Sequence, residues 1–177
     1  MPTARASRTI AASVDELWEL IGDPHHLPRW WPRVNRVEDV TLAGTGEQGA
    51  FTEVMKTAKG KTVRADFELV QAKGGERSLR WRQRIAGTPF ARVLKTAETE
   101  VSLRPAPAGS PPLVGAPADG SSDSDGVSEA TGPTEVTIEL HQTLSGFFPR
   151  FGGHMVRRAA RATIEEALDG LQRIHGR

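Results

Sequence analysis

The side chains of this sequence with the greatest chemical reach are few and scattered. His25 and His26 stand together in "DPHHLPRWWPRV", Asp23 to Val34, while His141 falls in "EVTIELHQTL" and His154 and His175 lie 21 residues apart near the end of the chain. Adjacent histidines on a short turn point in different directions, and neither a carboxylate nor a third histidine completes a ligand spacing around them, so no protein-built metal site is expected. A His26–Asp23 pair could act as acid and base, but an Asp directly before Pro24 is better explained as a turn starter or helix cap. Cysteine is absent, which removes thiolate nucleophiles, disulfides and Cys-built zinc or iron–sulfur centres. No Gly-x-Ser-x-Gly elbow, P-loop or Gly-x-Gly-x-x-Gly follows a strand; "GTGEQG", Gly44 to Gly49, reads as a hairpin turn. Neither nucleophilic hydrolysis nor nucleotide binding has support, and no cofactor is implied.

Two glutamines are more informative. In "SLRWRQRI" Gln83 alternates with Leu79, Trp81 and Ile85, opposite Arg80, Arg82 and Arg84; in "EVTIELHQTL" Gln142 alternates with Val136, Ile138, Leu140 and Leu144, opposite Glu135, Thr137, Glu139 and His141. Both amides are thus expected on the inward face of a strand, where one left unpaired costs about 1–3 kcal/mol. They pair with each other or with backbone, or they meet water or a polar group of a ligand in a cavity. A register slipped by one residue would turn both outward. Glu53, Glu98 and Glu100 are further polar candidates whose face the alternation leaves open. The arginine and glutamate faces are expected to pair across the outer surface as a solvated ladder, worth little per pair.

The elements that must position these residues follow from periodicity. "RASRTIAAS" reads as an opening strand, roughly Arg5 to Ala12. Ser13 with Glu16 three residues on is a capping box, and Val14, Leu17, Trp18 and Ile21 share one face of the short helix it begins. Gly22 stops that helix, Asp23-Pro24 can start another turn, and Pro28 and Pro32 forbid anything longer. From Val34 the period changes to two, and six strand candidates follow: "VNRVEDVTL", "GAFTEVMKT", "TVRADFELVQA", "SLRWRQRIAG", "RVLKTAETEVSLR" and "TEVTIELHQTL". Gly-containing turns separate most of them, at Gly44-Thr45-Gly46, Lys59-Gly60, Gly74-Gly75 and Gly87-Thr88-Pro89, which makes antiparallel hairpins. The end of the chain reads as one helix from about Pro149 to Ile174, with an apolar stripe of Val156, Ala160, Ile164, Ala167, Leu171 and Ile174. Its first half is small (Ala159, Ala160, Ala162) and follows Gly152-Gly153, and beneath a strongly curved sheet small residues leave space.

Composition bounds the rest. The chain has 177 residues, enough for one domain with a real core, and 37% hydrophobic with 25% charged residues fits a globular protein. The net charge of +1 gives no drive toward nucleic acid or anionic lipid. The basic run at Arg157–Arg161 is interleaved with Ala rather than aromatics, so it reads as a solvated helix face and no nucleic-acid partner is expected. Residues 105–133 carry Asp119, Asp123, Asp125 and Glu129 and no Lys or Arg; with this segment at −4, the rest of the chain stands at +5. Since 16 of its 29 residues are Pro, Gly or Ser, it is expected to be a disordered insertion between the last two strands. The N-terminus lacks a continuous apolar run of signal-peptide type, and no segment approaches the roughly 18 apolar residues of a membrane span. A cytoplasmic protein without stable membrane insertion, monomeric or homodimeric, is expected.

One long helix on one face of an antiparallel sheet makes a two-layer α+β domain. With that frame, "RTIAASVDELWELIGDPHHLPRWWPRVNRVE" resembles the opening of the START-like, or SRPBCC, superfamily, in its polyketide cyclase/dehydrase and lipid-transport branch. The resemblance rests on Val14, Trp18, Asp23-Pro24, Leu27-Pro28-Arg29-Trp30-Trp31-Pro32 and Val34/Val37, together with the long C-terminal amphipathic helix. It spans positions 1–177 as a single START-like domain apart from 105–133. It implies the helix-grip fold, also called Bet v 1-like: about seven antiparallel strands curved around the C-terminal helix, two short helices after strand 1, and a hydrophobic cavity between sheet and helix. Trp30 occupies the family's tryptophan position and is expected to close the cavity, with Trp31 on the rim. Phe51, Phe67, Leu69, Trp81, Val101, Leu103, Leu140, Phe151, Met155 and Ala159 are candidates for the lining, with Gln83 and Gln142 as its polar groups. The expected function is binding, and with it transport or sequestration, of a small hydrophobic molecule such as a lipid, polyketide or isoprenoid. The rivals are an aromatase/cyclase or dehydratase in which Gln83, Gln142 or His141 assists proton transfer, and a protein-interaction module.

Overall fold

The computed structural model describes residues 3–42, 49–56, 60–73, 75–107, 132–145 and 152–176. The elements run β1 (Thr3–Ile10), α1 (Val14–Gly22), a 310 turn (Pro24–His26), α2 (Leu27–Trp30), β2 (Val34–Thr41), β3 (Ala50–Lys56), β4 (Thr62–Lys73), β5 (Ser78–Gln83), a second 310 turn (Pro89–Arg92), β6 (Leu94–Pro105), β7 (Thr134–Leu144) and α3 (Gly152–His175). All strand pairs are antiparallel, in the order β1-β7-β6-β5-β4-β3-β2. This is the helix-grip architecture, a seven-stranded curved sheet with one long helix across it. No described helix is long and apolar enough to cross a membrane.

Local chemistry sets the entry to the sheet. The Ser13 hydroxyl accepts the Glu16 N–H at 3.2 Å and the Glu16 carboxylate accepts the Ser13 N–H at 2.9 Å, the reciprocal pair of a capping box. Asp23 caps the turn that follows: its carboxylate accepts the His25 N–H at 2.9 Å and contacts His25 Nδ1 at 2.8 Å. The side chain beside Asp23 is therefore that of His25, not His26. At the other end, Ala106 N–H donates to the Pro133 carbonyl at 2.9 Å, so β6 and β7 stay paired to the base of the acidic segment. Residues 108–131, the bulk of the expected disordered insertion, lie outside the described residues.

The outer face of the sheet is charged and paired. Arg80 and Arg82 bond to Glu100 and Glu98 of β6, Arg84 to Glu68 of β4, and Arg5 of β1 to Glu139 of β7. The ladder exists as expected, but Arg80 and Arg82 find their partners on β6 and Arg84, just past β5, finds its partner on β4, because β6 separates β5 from β7. The β2 edge is irregular: its register with β3 shifts between Val34 and Arg36 and again between Glu38 and Thr41, and Asp39 sits at φ 52°.

The inner face holds the core. Ile164, Ala167, Leu168 and Leu171 of α3 are completely buried, in one cluster with Ile10, Leu17, Trp30, Val136 and Ile138. Arg8 of β1 reaches across to Glu165 at 3.0 Å, to Gln172 at 3.2 Å and to Asp169, tying the same stretch of helix to the sheet. The expected stripe was correct in phase, but Val156 and Ile174 at its ends are only half-buried. The tightest approach is at Gly170, where an added methyl carbon would lie 2.4 Å from the Trp30 carbonyl oxygen and 2.8 Å from its Cα. Alanine normally improves a helix interior by about 1 kcal/mol over glycine. Here the clash with backbone opposes it, and Gly170→Ala is expected to destabilise the protein by about 2 kcal/mol in urea unfolding. Gly153→Ala, with nothing within 4 Å of the new methyl group, is expected to be neutral or mildly stabilising.

Candidate functional site

The first half of α3 does not fill the space under the sheet. Val156, Ala159, Ala160 and Thr163 face a chamber of about 560 Å³ whose other walls are Val63 and Phe67 of β4, Trp81 and Gln83 of β5, Ala97 and Thr99 of β6, and Leu140 and Gln142 of β7. Trp31 closes one side, and Pro89, Phe90, Val93 and Leu94 close another. The register explains the two amides. Phe67 pairs with Gln83, Trp81 with Thr99, Thr99 with Leu140 and Ala97 with Gln142, so all share the concave face. A second apolar chamber of about 350 Å³ lies toward α1, bounded by Trp18, Ile21, Leu27, Phe51, Leu69, Leu79 and Trp81.

Aromatic rings run between the two. Trp30 meets Trp31 edge-on at 5.4 Å, Trp31 meets Trp81 at 5.8 Å, Trp81 meets Phe51 at 6.4 Å, and Phe51 stacks on Phe67 at 5.2 Å. Trp81 borders both chambers. A larger cleft of about 920 Å³ lies over the far end of α3, but Arg29, Arg33, Glu166, Asp169 and Arg173 line it. Its charged walls make it a poor container for an apolar molecule.

The candidates from the sequence divide accordingly. Phe67, Trp81, Gln83, Leu140, Gln142 and Ala159 line the chamber between sheet and helix, and Phe51 and Leu69 line the one beside α1. Val101 and Leu103 are core residues; Val101 sits between Leu79 and Ile138. Met155 is 71% exposed, because it precedes Val156 by one residue and so points about 100° away from the chamber face. Phe151 lies outside the described residues. Of the two tryptophans, Trp30 is buried under Gly170 and is not part of the chamber wall, while Trp31 lines the chamber; both border the charged cleft. Of the two rings in the proline-rich stretch, the second is the one that lines the chamber.

Among the polar candidates, Glu98 and Glu100 belong to the outer ladder, and so does His141, 3.6 Å from Glu139 and 3.4 Å from Thr3. Glu53 is different. On β3 it stands between Val37 of β2 and Ala65 of β4, on the face that carries Phe51 and Met55. It is 2% exposed, and its Oε1 has no hydrogen-bond partner among the described residues. Burial pushes its carboxyl up to about 8, so the neutral acid dominates at physiological pH. The second 310 turn was missed as a wall because its Pro and Gly read only as a hairpin; Phe90, an apolar ring within a turn, was the available signal.

The family described as "Polyketide cyclase / dehydrase and lipid transport" matches residues 1–176. Three solved structures share the architecture. The START superfamily protein from Mycobacterium smegmatis is 13% identical, covering 98% of this chain and 97% of its own, with a TM-score of 0.69. The Zhui aromatase/cyclase from Streptomyces sp. R1128 is 12% identical, covering 99% and 93%, with a TM-score of 0.68. The di-domain ARO/CYC BexL from the BE-7585A biosynthetic pathway is 18% identical over 98% of this chain and 46% of its own, with a TM-score of 0.67. No curated protein matches the sequence.

The buried carboxyl has a measurable signature. In the unfolded chain Glu53 ionises near its ordinary value of 4.5, whereas in the folded protein it keeps its proton to about 8. Between those values the unfolded state binds fewer protons, so stability falls as pH rises, by roughly 1 kcal/mol per pH unit from this group, and levels off above the folded-state value. Urea unfolding of wild type and Glu53→Gln across that interval is expected to show this component of the slope in wild type and its removal in the variant.

Proposed function

The chain belongs to the polyketide cyclase/dehydrase and lipid transport family of the START/SRPBCC superfamily, and from that premise we propose that it binds a small hydrophobic molecule in the chamber between the sheet and the first half of α3. The observation that carries this reading is the chamber itself: about 560 Å³, walled by apolar side chains from four strands and a helix, with Gln83 and Gln142 as amides facing it. Apolar surface withdrawn from water supplies affinity at about 25 cal/mol per Å², and a few convergent polar groups orient the occupant. Lipids, polyketides and isoprenoids all meet this description. A cytoplasmic location accompanies the reading, since a cysteine-free chain suits a reducing compartment.

A second reading, cyclisation or dehydration of a bound polyketide, is favoured by one specific observation. Glu53 is a carboxyl buried on the concave face and held near 8, the range in which a general acid works at neutral pH. Under this reading Glu53→Gln binds normally and loses turnover by about a hundredfold or more. Under the carrier reading wild type shows no turnover to lose.

The first experiment is native mass spectrometry of the purified protein, with extraction and identification of any small molecule it carries. Ala159 faces the chamber yet is exposed at its rim, so Ala159→Trp can fill the space without disturbing the buried seat of the helix. Wild type is expected to carry an apolar compound, and A159W at unchanged melting temperature is expected to carry less than about a tenth as much. A ligand-free mass for wild type, with no thermal shift across a lipid and polyketide panel, contradicts the reading.

A further inference from the structure

Glu53 is set apart from every other carboxylate described on the sheet. Those of the strands beside it, Glu38 and Asp39 on β2 and Asp66 and Glu68 on β4, all have partners: Glu38 pairs with Arg36 and Arg64, Asp39 with Arg64, Glu68 with Arg84, and Asp66 accepts from Thr52. On its own face Glu53 has the apolar neighbours Val37 and Ala65 across the ladder and Phe51 and Met55 along the strand. Ala65, the buried residue opposite Glu53, is flanked on β4 by Val63 and Phe67, two residues of the chamber wall, so Glu53 stands on the concave face one strand from that wall. The helix residues that face the chamber, Val156, Ala159, Ala160 and Thr163, include no group that titrates. A carboxyl in such surroundings is expensive to retain without a hydrogen-bond partner.

The geometry points to Glu53 as the polar anchor of the bound molecule: its protonated carboxyl donates to a neutral oxygen acceptor, such as a ketone or ester carbonyl, on an otherwise apolar ligand. This inference rests on the chamber being the binding site and sharpens it to a chemical class. A carboxylate or phosphate head group would repel the ionised form of Glu53 and would itself lose its hydration with no cation to meet it. A protonated amine would instead favour ionisation of Glu53, its proton leaving to solvent, and form an ion pair. The expected ligand is uncharged and carries a carbonyl.

Three probes of one shape separate these cases: 2-ethylnaphthalene, 2-acetylnaphthalene and the corresponding 1-(naphthyl)ethylamine, which differ only at the carbon beside the ring. Equilibrium dialysis is expected to show the ketone held about fivefold more tightly than the hydrocarbon at about pH 6, where Glu53 is protonated. The preference should vanish at about pH 9.5, above the folded-state value of about 8. Glu53→Gln, which keeps an N–H donor at every pH, is expected to retain the preference at both values. Glu53→Leu, which removes the donor and is better suited to an apolar surrounding, should bind hydrocarbon and ketone alike. Equal binding of hydrocarbon and ketone by wild type, a ketone preference that survives in E53L, or tightest binding of the amine overturns the assignment of Glu53 while leaving the chamber as the site. Failure of wild type to bind any of the three overturns both.

Discussion

At Gly170, α3 approaches the backbone of Trp30 so closely that a single methyl group would stand 2.4 Å from the carbonyl oxygen. That contact fixes the height of the helix above the sheet at one end. Ile164, Ala167, Leu168 and Leu171 fill the gap there completely, and Arg8 ties the flank to β1 through Glu165, Asp169 and Gln172. At the other end the described residues that face the sheet, which curves away, are Val156, Ala159, Ala160 and Thr163. Residue size does the rest: once the large side chains have set the separation, the small ones cannot close it, and a chamber remains. The buried seat and the chamber thus occupy opposite halves of one helix.

The sheet sorts its charges with similar economy. Arginine and glutamate alternate with apolar residues along β5, β6 and β7, and the pleat delivers them all to the outer face, where they meet across neighbouring strands. Such exposed pairs add little stability. Their larger effect is to leave the concave face almost free of charge, so that a single carboxyl within it is conspicuous. Glu53 is a carboxyl on the face that the sheet otherwise gives to apolar residues, and departures of that kind tend to fall at functional positions.

Much of this was legible in the sequence. The capping box at Ser13, the six alternating segments after Val34 and the stripe of α3 each follow from a period and a stop signal, and the inward direction of Gln83 and Gln142 follows from parity along a strand. What escaped depended on distances between elements far apart in the chain. Nothing near "LPRWWPRV" says that Trp30 will lie against Gly170, some 140 residues on, and leave Trp31 to the chamber. Met155 and Val156 differ by one step of a helix whose rotation is set by the packing of its other end. Glu53 lies in "AFTEVMK", where Phe51, Thr52, Glu53 and Val54 are all buried, and a segment covered on both faces gives alternation nothing to distinguish.

The irregular β2 edge has a consequence for how this molecule lives among copies of itself. A straight, regular outer strand presents a row of amides and carbonyls on which another chain can polymerise. The two register shifts of β2 and the left-handed Asp39 break that row, while Arg36, Glu38 and Asp39 crowd it with charge. A partly unfolded neighbour finds a poor template there. A concave face lined with tryptophan and phenylalanine is a hazard while the chain is still folding, and the distortion at this margin lowers the chance that exposed apolar surface and an inviting edge are offered together.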